Sequence, residues 1–139
     1  MKPPPIGATA SITKTIGDAE IAAFAAVSGD VNPMHLSAEF ARRTRFRRPI
    51  AHGMLTASLI SAVIGTKLPG PGSIWVSQTL NFLLPVFSGD AITASATVTA
   101  VREDRPLVTL QTRCTNQDGR LVLDGEALIL LDDLADPQA

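Results

Sequence analysis

The sequence predicts an α+β domain in which an antiparallel sheet wraps around one long buried helix. Residues 53–66 are apolar or small on every side (Met54, Leu55, Ala57, Leu59, Ile60, Ala62, Val63, Ile64), a pattern that a surface helix does not tolerate. Strand-like runs follow at residues 73–82, 91–101, 107–115 and 121–131. Within them, Ile92, Ala94, Ala96 and Val98 alternate with Thr93, Ser95, Thr97 and Thr99, as a sheet with one covered face requires.

The elements fall in order along the chain. Residues 8–16 alternate like an edge strand. Thr15 and Asp18 match a Ser/Thr-x-x-Asp/Glu pattern that satisfies the first amides of a helix, expected over residues 18–27. Its apolar positions Ile21, Phe24 and Ala25 recur at helical spacing, and Gly29 stops it by allowing positive φ. Residues 30–35 are expected as a loop held by Pro33, and residues 37–43 as a short helix. Pro49 then forces Arg48 toward an extended conformation. Leu68-Pro69-Gly70-Pro71-Gly72 breaks the buried helix, and Asp118-Gly119 marks a hairpin between the last two strands. One strand, helices, then four antiparallel strands about a central helix is the hot-dog layout, here with a helical overhang carrying the loop at residues 30–35.

With 139 residues, 45% of them hydrophobic, the chain suffices for one domain, expected to span residues 1–139 with an ordered core over about 8–132. A formal net charge of −1 gives no reason to expect a nucleic-acid or anionic-membrane partner. The apolar stretch 54–64 is about half the ~20 residues needed to cross a bilayer. A single cysteine, Cys114, rules out an intrachain disulfide, and Met1 to Pro5 lack the apolar core of a secretory leader. The expected compartment is the cytoplasm.

Both histidines of the chain lie close to unusual local sequence: Asp30-Val31-Asn32-Pro33-Met34-His35, and His52-Gly53 at the start of the buried helix. Across a Pro-containing loop, Asp30 and His35 are spaced so that carboxylate and imidazole can converge as an acid/base pair. The Gly53 amide, at a helix N-terminus, lies where the helix dipole favours an oxyanion, and a glycine admits close approach. On spacing alone, an equal alternative has Asp30 and Asn32 capping neighbouring amides while His35 is hydrogen-bonded in the core.

The octapeptide Ser28-Gly29-Asp30-Val31-Asn32-Pro33-Met34-His35, followed by Arg48-Pro49-Ile50-Ala51-His52-Gly53-Met54, resembles the paired signature of the MaoC-like hydratase/dehydratase family. The likeness runs from about Ile12 to Leu131 and includes Leu80-Asn81-Phe82 and Pro85-Val86-Phe87-Ser88-Gly89-Asp90. It closely resembles short bacterial (R)-specific enoyl-CoA hydratases that supply polyhydroxyalkanoate synthesis. The resemblance implies that Asp30 and His35 are catalytic, that the Gly53 amide polarises a thioester carbonyl, and that Ser61 orients Asp30. It further implies syn hydration to the (R)-3-hydroxyacyl product, a homodimer, an acyl tunnel floored near Ile64 and Ile129, and no cofactor beyond the coenzyme A of the substrate. Ser37 stands where relatives often have an acidic residue.

Other readings remain beside this one. Asn32 reads first as a turn residue before Pro33, and His52 reads equally as a site residue or a structural one. A metal at Asp30, His35, His52 and Cys114 lacks any recognised ligand spacing, so none is expected. Ser28, Ser58 and Ser61 sit in no nucleophile elbow. Arg42, Arg43, Arg45, Arg47 and Arg48 form a dense basic patch, suited to the phosphates of coenzyme A, to an acidic carrier protein, or simply to solvent. The competing functions are an (R)-3-hydroxyacyl-acyl-carrier-protein dehydratase, a hot-dog acyl-CoA thioesterase and a non-catalytic acyl-CoA-binding module.

Overall fold

The run that is apolar on every side becomes helix α4 (Gly53–Thr66), the axis about which the chain is arranged. The computed structural model describes residues 2–134; of the ends expected to lie beyond the ordered core of about 8–132, residue 1 and residues 135–139 are outside the described residues. Leu59, Ile60, Val63 and Ile64 are buried, and burial of side chains of this size contributes ~1.5–3 kcal/mol each.

Around α4 lies a six-stranded sheet of β1 (Thr9–Ile16), β2 (Ser73–Gln78), β3 (Asn81–Phe82), β4 (Asp90–Val101), β5 (Leu107–Thr115) and β6 (Leu121–Leu131). The order is β1-β4-β5-β6-β2, with β3 also paired to β6, and every pairing is antiparallel. Ile92, Ala94, Ala96 and Val98 of β4 and Val108 and Leu110 of β5 face inward, as their alternation requires. On the outer face, threonines pair across strands: Thr13 and Thr93 hydroxyls lie 2.8 Å apart. The result is the expected hot dog.

Three local expectations need correction. The run at residues 73–82 divides into β2 and β3, because a bulge between Trp75 and Ser77 turns the chain and Thr79 presses against β6. A Cβ on Gly125 of β6 would stand 1.8 Å from the Thr79 carbonyl oxygen, so only glycine fits there. Helix α1 (Asp18–Ser28) is not capped by Thr15, which is paired with Ala91 in β1; instead the Gly17 amide donates to Glu20 Oε1 at 2.9 Å. Residues 30–35 are not all loop. Asn32 accepts from the Met34 amide and Pro33 occupies the first position of a one-turn helix, α2 (Pro33–Leu36). Ser37 Oγ then accepts from the Phe40 amide to start α3 (Ala38–Arg42).

Gly29, at φ 80°, ends α1 as expected and returns its amide to the Ala25 carbonyl. The Ala51 amide donates to Val86 O at 2.7 Å, and Ile50 bridges Phe87, stitching the overhang of α1–α3 to the segment before β4.

Candidate active site

Three chain segments meet at the N-terminal end of α4: the turn after α1, helix α2, and residues 50–53. Ser28 Oγ, itself donating to Phe24 O, accepts from the Asp30 amide at 3.1 Å. Asp30 Oδ1 accepts from the Asn32 amide, and Asn32 Oδ1 from the Met34 amide, both at 3.2 Å. This chain of short side-chain-to-backbone bonds makes the loop rigid, so the capping reading of Asp30 and Asn32 holds alongside any chemical role.

His35 Nδ1 lies 2.6 Å from the Ile50 carbonyl oxygen. A carbonyl only accepts, so Nδ1 carries the proton and, in the neutral ring, the Nε2 lone pair is free. His52 is 2% exposed, and its Nε2 lies 2.9 Å from the Asp30 carbonyl oxygen, so that nitrogen donates. The two imidazole centroids are 4.0 Å apart, and the Phe24 ring centroid is 4.8 Å from that of His52. Asp30, His35 and His52 each offer a ligand-type atom within 4.8 Å of the others. That spacing fits a water bonded to two of them at once.

These groups line one wall of a cavity of about 840 Å³, with Phe82, Val122 and Leu123 among its apolar walls. Gly53 heads α4 on the same cavity, and as the first helical residue its N–H has no acceptor within the helix. A Cβ at Gly53 would come within 2.7 Å of the Phe82 ring. The arrangement therefore provides a carboxylate, an imidazole and an unpaired amide at the positive end of a helix, facing an apolar space.

A MaoC-like domain model matches residues 4–118. The chain belongs to the MaoC-like family. Among MaoC-like proteins, it is 54% identical over 126 residues to the (R)-specific enoyl-CoA hydratase of Aeromonas caviae, covering 91% of this chain and 94% of that protein. The solved structure of the (R)-hydratase from A. caviae involved in PHA biosynthesis superposes with a TM-score of 0.89, covering 91% of this chain and 96% of that one. The unliganded R-hydratase from Pseudomonas aeruginosa superposes at 0.87 with 43% identity, covering 95% and 88%.

Within this MaoC-like chain, the residues anticipated for the site divide into two groups. Asp30, His35, His52 and Gly53 converge on the cavity, and Asn32 sits behind them as the cap of α2. Ser61 does not join them. It lies eight residues after Gly53, roughly 12 Å further along the helix, on an exposed face with no hydrogen bond to Asp30. Ile64 and Ile129 are likewise not at the cavity floor: both are buried between α4 and the sheet, 3% and 0% exposed, and neither lines the cavity.

Phe24, Thr56 and Phe82 line the cavity and were not singled out for it in the sequence, and Arg45 of the basic patch lines it too. Thr56 is 3% exposed and its Oγ1 has no partner among the described residues. Phe82 carried a signal, since it closes the Leu80-Asn81-Phe82 motif. Of the basic patch, Arg45 alone reaches the cavity wall; Arg43 stacks on Phe40 and Arg48 on Phe87, with centroid distances of 5.0 and 3.6 Å. Cys114 is fully buried in β5, and burial pushes its thiol up to about 12, which removes it as a nucleophile.

Proposed function

We propose that this chain hydrates trans-2-enoyl-CoA to (R)-3-hydroxyacyl-CoA, and catalyses the reverse dehydration. The observation that carries the proposal is the convergence of Asp30 and His35 on one water-sized space beside the Gly53 amide, in an apolar cavity. The resemblance of the chain to (R)-specific enoyl-CoA hydratases over nine-tenths of its length supports the same reading.

The steps follow from the donors and acceptors present. Asp30 carboxylate and His35 Nε2 hold a water between them; one removes a proton as the water oxygen bonds to C3. The π electrons move to C2, which takes a proton from the pair, so one water adds across one double bond. Charge that builds on the thioester oxygen meets the Gly53 N–H and the helix dipole, where stabilisation acts only as the charge develops. With acid and base on the same wall, both new bonds form on one face of the double bond, which gives syn addition. The reaction needs no metal or separate cofactor, because coenzyme A enters as part of the substrate.

The proposal extends to assembly. Strand β2 is an edge of the sheet, and its Ile74, Trp75 and Val76 are exposed, so a second copy pairing along β2 would cover an otherwise open apolar edge. Arg45, at the cavity wall within the basic patch, is placed to receive the phosphates of coenzyme A. None of the helices among the described residues is long and apolar enough to cross a membrane. Supply of (R)-3-hydroxyacyl-CoA to polyhydroxyalkanoate synthesis is the pathway this product fits.

Turnover of crotonyl-CoA tests the reading directly. The conjugated enoyl absorbance is expected to fall on adding the protein, with no release of free thiol. Thiol release would point to the thioesterase reading instead. Binding without absorbance loss would reduce the protein to an acyl-CoA-binding module, and turnover restricted to carrier-protein thioesters would make it the acyl-carrier-protein dehydratase.

A further inference from the structure

We propose that His52 is a positioning residue that ties the acid/base loop to the oxyanion donor. The inference rests on the hydration chemistry above and concerns a residue to which that chemistry gives no part.

His52 occupies the position just before the first residue of α4, yet its ring does not cap the helix. Its Nε2–H instead crosses to the Asp30 carbonyl at 2.9 Å. Its Nδ1 is buried with no partner among the described residues. Leaving a buried polar atom unpaired is costly, and native proteins tolerate it chiefly where function demands the arrangement. Among the described residues, the one hydrogen bond of this ring thus goes to the residue proposed to handle the water.

The ring touches the other two groups as well. One face lies 4.0 Å from the His35 imidazole, whose own Nδ1–H is fixed on Ile50 O. The following residue is Gly53, whose amide faces the thioester position. One buried side chain therefore sets the distance between carboxylate, imidazole and amide, with the Phe24 ring packed against it at 4.8 Å. Such coupling matters because an error of about 1 Å in a catalytic group costs on the order of a hundredfold in rate. His52 does this through a hydrogen bond to a main-chain atom, so its loss shifts Asp30 without removing any reacting group.

Two substitutions separate the hydrogen bond from the bulk. His52→Phe keeps a ring against His35 and deletes the donor; His52→Gln keeps a donor of similar reach and deletes the ring. On crotonyl-CoA, His52→Phe is expected to lower kcat at least about tenfold with KM within about twofold, and His52→Gln to recover most of kcat. A His52→Phe enzyme with kcat within twofold of the parent, or a His52→Gln enzyme as slow as His52→Phe, would overturn the proposal. If His52→Phe does not fold, His52→Asn, whose amide is too short to reach, takes its place with the same expectations. Amide exchange at Val31 and Asn32 supplies a readout independent of turnover: faster in the donor-less variant and unchanged in His52→Gln. Equal exchange in both variants would also overturn it. If the parent protein leaves every enoyl-CoA unchanged, the hydratase reading fails alone, and the exchange measurement still decides the role of His52.

Discussion

The two ends of α4 belong to one continuous helix but are built in opposite ways. From Leu59 to Ile64 the inward face is dry, packed on β1, β4 and β5, and free of unpaired polar side chains among the described residues. From His52 to Thr56 the same stretch faces a cavity and carries the two buried polar side-chain atoms without partners among the described residues, His52 Nδ1 and Thr56 Oγ1. Stability is concentrated at one end and unsatisfied polarity at the other. A fold organised this way can alter its chemistry at the N-terminal end while the C-terminal end keeps the sheet closed.

Substitutions at each end should separate these roles. Ile64→Ala, in the packed half, is expected to cost ~2–5 kcal/mol of unfolding free energy through lost burial and cavity formation. Its acyl-chain-length preference should stay that of the parent, because Ile64 does not line the cavity; chemical denaturation and an assay across acyl lengths check both. A changed length preference would mean that the two ends are not separate.

Asp30→Asn and His35→Ala, at the polar end, are each expected to slow turnover by at least about a hundredfold, the scale of acid/base assistance. Their unfolding midpoints should stay close to the parent value, since Asp30 is exposed and His35 only partly covered. Comparable losses of stability and rate would blur the contrast.

Gly53→Ala is expected to have the smallest effect, a fall in kcat of about tenfold. The N–H survives, but the new Cβ meets the Phe82 ring at 2.7 Å and pushes the amide or the ring out of place. Pairing it with Phe82→Ala should restore part of the rate if this crowding is the cause, as a double-mutant cycle would show.

The packed half was the more legible in the sequence. The strict alternation of β4 and β5 persists in the structure, whereas the apolar run of residues 53–66 becomes a helix covered on one side only, with Met54, Ser58, Ser61 and Gly65 exposed. The site was legible through its signature, with Asp30, His35 and Gly53 brought together on one cavity. Depth along the helix was not. Ser61 and Ile64 follow Gly53 on the same element, but eight and eleven residues carry them past the cavity, and a motif does not report that distance. The break of residues 73–82 was hidden for a different reason: it depends on Gly125 admitting Thr79, a contact between residues far apart in sequence. Position Ser61 had a readable sign. Ser58, Ser61 and Gly65 are among the small or polar members of α4, and they are exposed together with Met54.

Strand β6 lies between β5 and β2, also holds β3, and contributes Val122 and Leu123 to the cavity wall. It is the last strand in chain order. Without it, β2, β3 and β5 would each lose a pairing partner and the pocket would lack part of its lining. Completing the sheet and completing the pocket therefore depend on the same strand.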